Sequence, residues 1–91
     1  MTKVVNINTD AYDVLIDRST PWGNPFVIGK DGTRKEVIMK YEKWLLNNEE
    51  LMGQIMKLDG KILGCHCHPK SCHGNVIIKI IEVFKQDRYI C

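Results

Sequence analysis

Cysteine and histidine are concentrated in one short segment of this chain. The stretch KILGCHCHPKSCHGN, residues 61–75, holds three of the four cysteines and all three histidines. Thiol and imidazole groups act as nucleophiles, proton carriers and ligands of soft metals. The segment therefore fits four interpretations: a metal site, a nucleophile, a phosphate-binding turn, or packing alone.

A structural zinc site is the first interpretation. Cys65 and Cys67 alternate along an extended segment and so point the same way, and Cys72 and His73 follow after a short loop. Four such ligands suit tetrahedral zinc. The usual pattern, however, is two close pairs far apart in sequence, and adjacent residues that open a helix diverge by about 100°. Zinc stays an alternative, and because the other elements can supply a core, no cofactor is predicted to be required.

A cysteine nucleophile is the second interpretation. Cys72 is the candidate, with His73 or His68 as its base, and a helix N-terminus favours the thiolate form. The spacing after Cys67 is similar to that of the cysteine phosphatase loop, but His73 stands where an arginine should bind the phosphoryl oxygens, and it cannot form a bidentate fork. A binding protein is favoured, and a cysteine-dependent enzyme acting on a nucleotide is an alternative.

The third interpretation is a phosphate-binding turn between a buried strand and a helix. The first backbone N–H groups of a helix lack internal partners and can bind an anion. Lys70 adds a cation, Ser71 is also a fair N-cap, and Gly74 lets a ligand approach the backbone. The ligand-binding residues predicted on this side are His68, Lys70, Ser71, Cys72, His73, Gly74 and Asn75.

A second loop, Arg18–Phe26, supplies complementary groups. Its sequence RSTPWGNPF holds two prolines and a glycine, which exclude regular structure. Arg18 can bind phosphate, Trp22 can stack on a base, and Asn24 can bond a ring edge. The ligand-binding residues predicted here are Arg18, Ser19, Trp22 and Asn24, and a nucleotide-type small molecule is the predicted ligand.

Periodicity places these loops between strands and helices. A capping box, Thr33 with Glu36, begins a helix, and a pair of asparagines, Asn47 and Asn48, ends it and caps another. His66 alternates away from Cys65 and is predicted to be a packed or surface histidine. The predicted strands are Val4–Asn8, Tyr12–Arg18 and Lys61–Cys67; the predicted helices are Thr33–Leu46, a second lined by Leu51, Met52, Ile55 and Met56, and a third from Ser71 or Cys72 to Phe84.

This order predicts a single α/β domain over residues 1–91, with a small, partly parallel sheet flanked by about three helices. The connection from Tyr12–Arg18 to Lys61–Cys67 is long enough for a right-handed parallel crossover. The carboxyl ends of both strands then open on one edge of the sheet, where ligands bind in α/β folds. The two loops are therefore predicted to face each other.

Composition limits the partners. The formal charge of +2 is spread along the chain, so it does not by itself indicate nucleic acid, which stays open as a partner. The chain shows no membrane span and no secretory signal, which predicts a cytoplasmic protein with reduced thiols. Whether a second protomer completes the site is left open.

Two motifs, RSTPWGNPFVIGKDGTRKEVI and GKILGCHCHPKSCHG, resemble an uncharacterised family of small phage and bacterial proteins. The family pattern reads W-G-N-P-F and G-K-x-L-x-C-x-C-x-P-x-x-C-H-G, and the resemblance covers Tyr12–Phe84. Asn75 stands where the family carries an acidic residue. The family supplies no activity. Its occurrence in phages implies a host-cytoplasmic protein that sequesters a nucleotide-derived immune signal or otherwise interferes with host nucleotide metabolism.

Overall fold

A computed structural model describes residues 2–66 and 72–90, with only the backbone described for 86–90. Its elements are strand β1 Lys3–Asn6, strand β2 Val14–Leu15, helix α1 Arg34–Leu46, helix α2 Glu49–Met52, a 3₁₀ turn Ile55–Leu58, strand β3 Ile62–Cys65 and helix α3 His73–Ile90. The predicted order of strands and helices is confirmed.

The sheet has three strands in the order β1-β3-β2, and both outer strands run parallel to the central one. Val14 of β2 is opposite Leu63 of β3, and Asn6 at the end of β1 is opposite Cys65. All three strands therefore end on the same edge of the sheet. The single small α/β domain with a parallel sheet is confirmed.

Strand β2 is much shorter than the predicted Tyr12–Arg18. Backbone hydrogen bonds from Asp13 and Ile16 to β3 flank its two residues, and the chain then turns away at Asp17. The Asp17 carboxylate accepts the Ser19 N–H at 2.9 Å, while the Asp17 carbonyl accepts the Thr20 N–H at 3.1 Å. These local bonds stabilise a turn in place of further strand pairing.

Helix α1 begins as predicted. The Thr33 hydroxyl accepts the Glu36 N–H and the Glu36 carboxylate accepts the Thr33 N–H, so both halves of the capping box are formed. This bonding lowers the pKa of the Glu36 carboxyl, with the Thr33 backbone bond as the largest cause. The second predicted helix is wrong in its extent, because a break at Gly53 and Gln54 divides it into α2 and the 3₁₀ turn.

The core lies between the sheet and helices α1 and α3. Tyr41 and Leu45 of α1 and Ile77 and Ile81 of α3 are fully buried there. Ile55 reaches the same cluster from the 3₁₀ turn, so the short elements close one end of the core. Within residues 2–66 and 72–90, no helix is both long and apolar enough to cross a bilayer.

Candidate functional site

A cleft of about 370 Å³ opens at the edge of the sheet where β2 and β3 end. Its walls come from the segment Asp17–Ile28, the first turns of α1 and the beginning of α3. The apolar part of the wall is formed by Phe26, Ile28, Val37 and Ile38; the polar part is formed by Asp17, Arg18, Ser19, Asn24, Arg34, His66, Cys72 and His73. The prediction that the two motifs face each other agrees with this arrangement.

Arg18 is the cation that the sequence places at this cleft, and backbone carbonyls hold it. Its Nε donates to the Asn24 carbonyl at 3.3 Å and its Nη2 donates to the Phe26 carbonyl at 3.4 Å. In the described part of the chain no carboxylate forms an ion pair with it. The exposed guanidinium is therefore held by backbone carbonyls and, among the described residues, not by a carboxylate.

Asn24 and Gly23 shape the loop that supports Arg18. The Asn24 amide donates to the Val37 carbonyl at 3.2 Å and its oxygen accepts the Phe26 N–H at 2.9 Å. A Cβ at Gly23 would collide with the backbone of Asp17 and Arg18, so only glycine allows this approach. Asn24 lines the cleft, but both groups of its side-chain amide are hydrogen-bonded to the backbone. Its predicted hydrogen bond to the edge of a ligand ring is therefore corrected.

Trp22 belongs to the core. Its side chain is 9% exposed and packs in the central hydrophobic cluster, and it is not among the residues that line the cleft. Its carbonyl accepts the Tyr41 hydroxyl at 2.7 Å, and burial raises the pKa of that hydroxyl. The predicted stacking role is wrong, because the indole is buried in the core cluster and does not line the cleft. Phe26 is the aromatic ring of the cleft.

Asp17 organises one rim of the cleft. Its Oδ1 accepts the Ser19 hydroxyl at 2.5 Å, and its Oδ2 lies 3.1 Å from Nε2 of His66. The Ser19 hydroxyl bond, followed by the Ser19 backbone bond and His66, lowers the pKa of the Asp17 carboxyl. Ser19 lines the cleft as predicted, although its hydroxyl is already engaged.

His73 is buried at the start of α3. Its Nε2 lies 2.5 Å from the Ile16 carbonyl, which can only accept, so Nε2 carries the hydrogen and Nδ1 is the acceptor. The ring meets Tyr41 edge-on at 5.1 Å between centroids. Burial is the main cause that lowers the pKa of His73, and the Arg18 charge acts in the same direction. A neutral imidazole therefore faces the cleft.

The first turn of α3 is largely satisfied by its own side chains. The Cys72 N–H donates to the Asn75 Oδ1 at 3.0 Å, and the Gly74 N–H donates to the Cys72 Sγ at 3.4 Å. The Asn75 N–H donates to the Cys72 carbonyl at 3.0 Å. These three N–H groups already donate to acceptors within the turn. The prediction that they bind phosphate is therefore corrected. The Asn75 side chain supplies the oxygen that a carboxylate would supply at that position.

Gly74 packs against the sheet and does not face a ligand. A Cβ there would lie 2.7 Å from a Val4 methyl carbon and 2.9 Å from the Ile16 Cδ1. The glycine therefore brings the start of α3 into contact with β1 and the end of β2. Its predicted role in ligand approach is wrong for this reason.

The predicted metal ligands are brought together only in part. The Sγ atoms of Cys65 and Cys72 lie 3.2 Å apart, and both side chains are buried. The His73 Nε2 faces the Ile16 carbonyl, and Cys67 lies outside the described residues, as do His68, Lys70 and Ser71. No three potential ligands are grouped in the described part of the chain. Zinc stays an untested alternative.

Sequence reasoning missed two groups of cleft residues. His66 is exposed, in agreement with the predicted surface position, but its place in the cleft wall was not predicted: β3 ends at Cys65, so strand alternation does not apply to it. The D-x-S spacing of Asp17 and Ser19 is a turn signature that could have indicated their bond. Val37 and Ile38 lie on the apolar stripe of α1, where helical spacing does not distinguish a core position from a cleft wall. No sequence pattern indicates that Arg34 lines the cleft.

Fold and site together define a small α/β domain, with a three-stranded parallel sheet and a cleft at the carboxyl edge of its strands. The chain belongs to the family described as Domain of unknown function (DUF4326), whose model matches residues 2–83. The match begins about ten residues before the predicted span and confirms the resemblance.

Two viral relatives are similar over most of the chain. An uncharacterized 12.4 kDa protein in the nrdA-td intergenic region of Enterobacteria phage T4 is 39% identical over 96% of this chain and 84% of its own length. Uncharacterized protein R718 of Acanthamoeba polyphaga mimivirus is 32% identical over 71% of this chain and 55% of its own length. No solved structure gives a significant match.

Proposed function

We propose that the protein binds a small nucleotide-type anion in the cleft at the carboxyl edge of its sheet. The observation that carries the proposal is Arg18. Two backbone carbonyls orient its guanidinium toward the cleft wall, and no described carboxylate forms an ion pair with it. A guanidinium in this state is well suited to phosphate, whose oxygens accept charge-assisted hydrogen bonds.

The apolar wall supports a ligand with a flat ring as well as an anionic end. Phe26 is half-buried at the cleft and Ile28 is 47% exposed. The Lys40 Nζ lies 6.0 Å from the centroid of the Phe26 ring, so one face of the ring carries a cation contact. A base can stack on Phe26 or pack against Ile28 with a gain of about 1–3 kcal/mol.

Acceptors on the polar wall favour a nucleoside over a bare phosphate. Asp17 is ionised, and the neutral His73 presents Nδ1 as an acceptor. These groups can accept hydrogen bonds from ribose hydroxyls or from an exocyclic amine. The Asp17 charge opposes any anion, so a ligand that offsets this repulsion with hydrogen-bond donors is favoured over a bare phosphate.

A second depression, of about 530 Å³, adjoins the cleft and shares Arg34, Ile38 and Cys72 with it. Lys35 and Met39 line its outer side. A ligand with two phosphates or two nucleoside halves could extend from the cleft into this depression past Arg34. The adjoining surfaces thus support nucleotides larger than a mononucleotide.

Binding without turnover suits this site better than catalysis. The bonds described for the Cys72 thiol run to Cys65 and Gly74, and the His73 Nε2 donates to a carbonyl. The Cys72 thiol is therefore in contact with a second thiol, and one ring nitrogen of the proposed base is already used as a donor. Sequestration of a nucleotide-derived signal needs only recognition, and both relatives described above are viral proteins.

Thermal shift with AMP, ADP-ribose, inorganic phosphate and zinc tests the proposal. We expect at least one nucleotide to raise the Tm more than phosphate does at equal concentration. Arg18→Ala should weaken its binding about tenfold or more, since a charge-assisted hydrogen bond contributes about 1.5–3 kcal/mol. Lys57→Ala removes an equal charge outside the cleft and should leave binding unchanged. A response to zinc alone, or equal responses of both variants, would contradict the proposal.

A further inference from the structure

Two thiols meet where β3 ends and α3 begins. The Sγ atoms of Cys65 and Cys72 are 3.2 Å apart, and the two side chains are 1% and 3% exposed. Cys65 is fixed by its pairing with Asn6 in the sheet, and the Cys72 N–H is fixed by the Asn75 side chain. The contact therefore results from two independently anchored elements.

The distance is suited to a covalent bond. A disulfide has an S–S length of about 2.05 Å, so the two sulfur atoms have to approach by only about 1 Å. Such a shift lies within reach of side-chain rotation at Cys72, which directly precedes helix α3. No other pair of described cysteines exists in the chain, because Cys67 and Cys91 lie outside the described residues.

The two thiols differ in access. Cys72 lines the cleft and the depression beside it, whereas Cys65 lines neither. A small oxidant that enters the cleft therefore meets Cys72 first, with Cys65 directly behind it. This is the arrangement of an oxidant-sensing cysteine with a resolving cysteine.

We propose that Cys65 and Cys72 form a reversible dithiol that hydrogen peroxide converts to a disulfide. The Cys72 sulfur attacks one peroxide oxygen, the O–O bond breaks, and Cys72 becomes a sulfenic acid with release of one water. The Cys65 sulfur then attacks the Cys72 sulfur, the S–O bond breaks, and a second water leaves as the S–S bond forms. Peroxide is reduced by two electrons, and the two thiols lose those electrons and their two hydrogens.

The disulfide would act on the helix start and on the cleft wall together. It closes residues 66–71 into a short loop and ties α3 to the central strand, which restricts the unfolded chain. It also draws the Cys72 sulfur away from the Gly74 N–H that it now accepts. The inference requires no ligand, so it stands independently of the proposed function.

The test uses the full chain with Cys67→Ala and Cys91→Ala, so that only the pair remains. After peroxide treatment we expect intact mass to show the loss of two hydrogens, with both thiols blocked and then recovered by dithiothreitol. We expect the Tm to rise by about 5 °C or more in the oxidised form. Adding Cys65→Ala should replace the disulfide with a sulfenic acid that dimedone traps on Cys72.

Two results would overturn the proposal. One is that both thiols survive peroxide in the folded protein; the other is that Cys72 oxidises to the sulfinic acid while Cys65 keeps its thiol. Should the cysteine variants fail to fold, peptide mapping of the oxidised wild-type chain decides the question. A Cys65–Cys72 link supports the proposal, and a link from Cys67 to either residue refutes it.

Discussion

The helical core is buried, whereas the loop beside the cleft is partly exposed, and different forces hold the two regions. Leu45 and Ile77 represent the core, where apolar side chains pack between elements whose backbone bonds are regular. In the loop Asp17–Phe26, side chains take the place of secondary structure: Tyr41 donates to the Trp22 carbonyl and Arg18 donates to the Asn24 carbonyl.

This difference determines how each region should respond to mutation. Core stability depends on volume, so it falls when many contacts are removed together. The loop conformation depends on individual side-chain hydrogen bonds. Removing one donor atom should therefore loosen the loop, although the volume of the side chain barely changes. The loop forms the wall that shapes the cleft, and the core holds the helices against which the loop packs.

The largest expected loss of stability is in the core. Leu45→Ala removes a side chain that is fully buried and should lower the free energy of unfolding by about 2–5 kcal/mol. Leu46→Ala, one residue further along the same helix, changes a side chain that is 50% exposed and should cost less than about 0.5 kcal/mol. Urea denaturation of both variants measures the contrast; equal losses would show that the core is assigned wrongly.

A single oxygen atom tests the loop. Tyr41→Phe keeps the ring but removes the donor to the buried Trp22 carbonyl, which should cost about 1–3 kcal/mol. Hydrogen exchange should accelerate at Gly23 and neighbouring loop amides. Tyr12→Phe is the matched control, because Tyr12 is 42% exposed. An unchanged loop in Tyr41→Phe would mean that packing alone holds it.

The buried histidine should give stability a defined pH dependence. The unfolded chain binds a proton at an ordinary histidine pKa of about 6.5, whereas burial lowers the pKa of His73 in the folded protein. Its contribution is therefore complete above about pH 6.5 and is lost as the pH falls through the folded-state pKa.

Denaturation of wild type and His73→Gln across this range measures the effect. The variant should show a flatter decline below about pH 6.5, because the group that resists protonation is gone. A decline of equal steepness in both proteins would assign the pH dependence to other groups.

The helix cap gives the smallest of these stability effects. Thr33→Ala removes the hydroxyl that accepts the Glu36 N–H and should cost about 1 kcal/mol. Thr33→Ser keeps the hydroxyl and should remain close to wild type. Thermal denaturation distinguishes the two, and an equal loss in both would assign the effect to the threonine methyl group.

Much of the fold could be predicted because its signals are local. The capping box gives the start of α1, and the long connection from Tyr12–Arg18 to Lys61–Cys67 gives the parallel pairing of β2 and β3. The burial of Trp22 could not be predicted, because a Pro/Gly loop has no period and the indole position depends on α1. Arg18 was found at the cleft, whereas the loss of the α3 amides depends on side-chain bonds within Cys72–Asn75 that spacing does not reveal.

An amide NMR titration of the ¹⁵N-labelled protein with ADP-ribose tests the central claim most directly. We predict saturable shift changes concentrated in Asp17–Ile28 and at the start of α3, and their loss in Arg18→Ala while the rest of the spectrum stays that of a folded protein. Changes centred on the distant α2, or changes that survive in Arg18→Ala, would contradict the assignment of the cleft as the binding site.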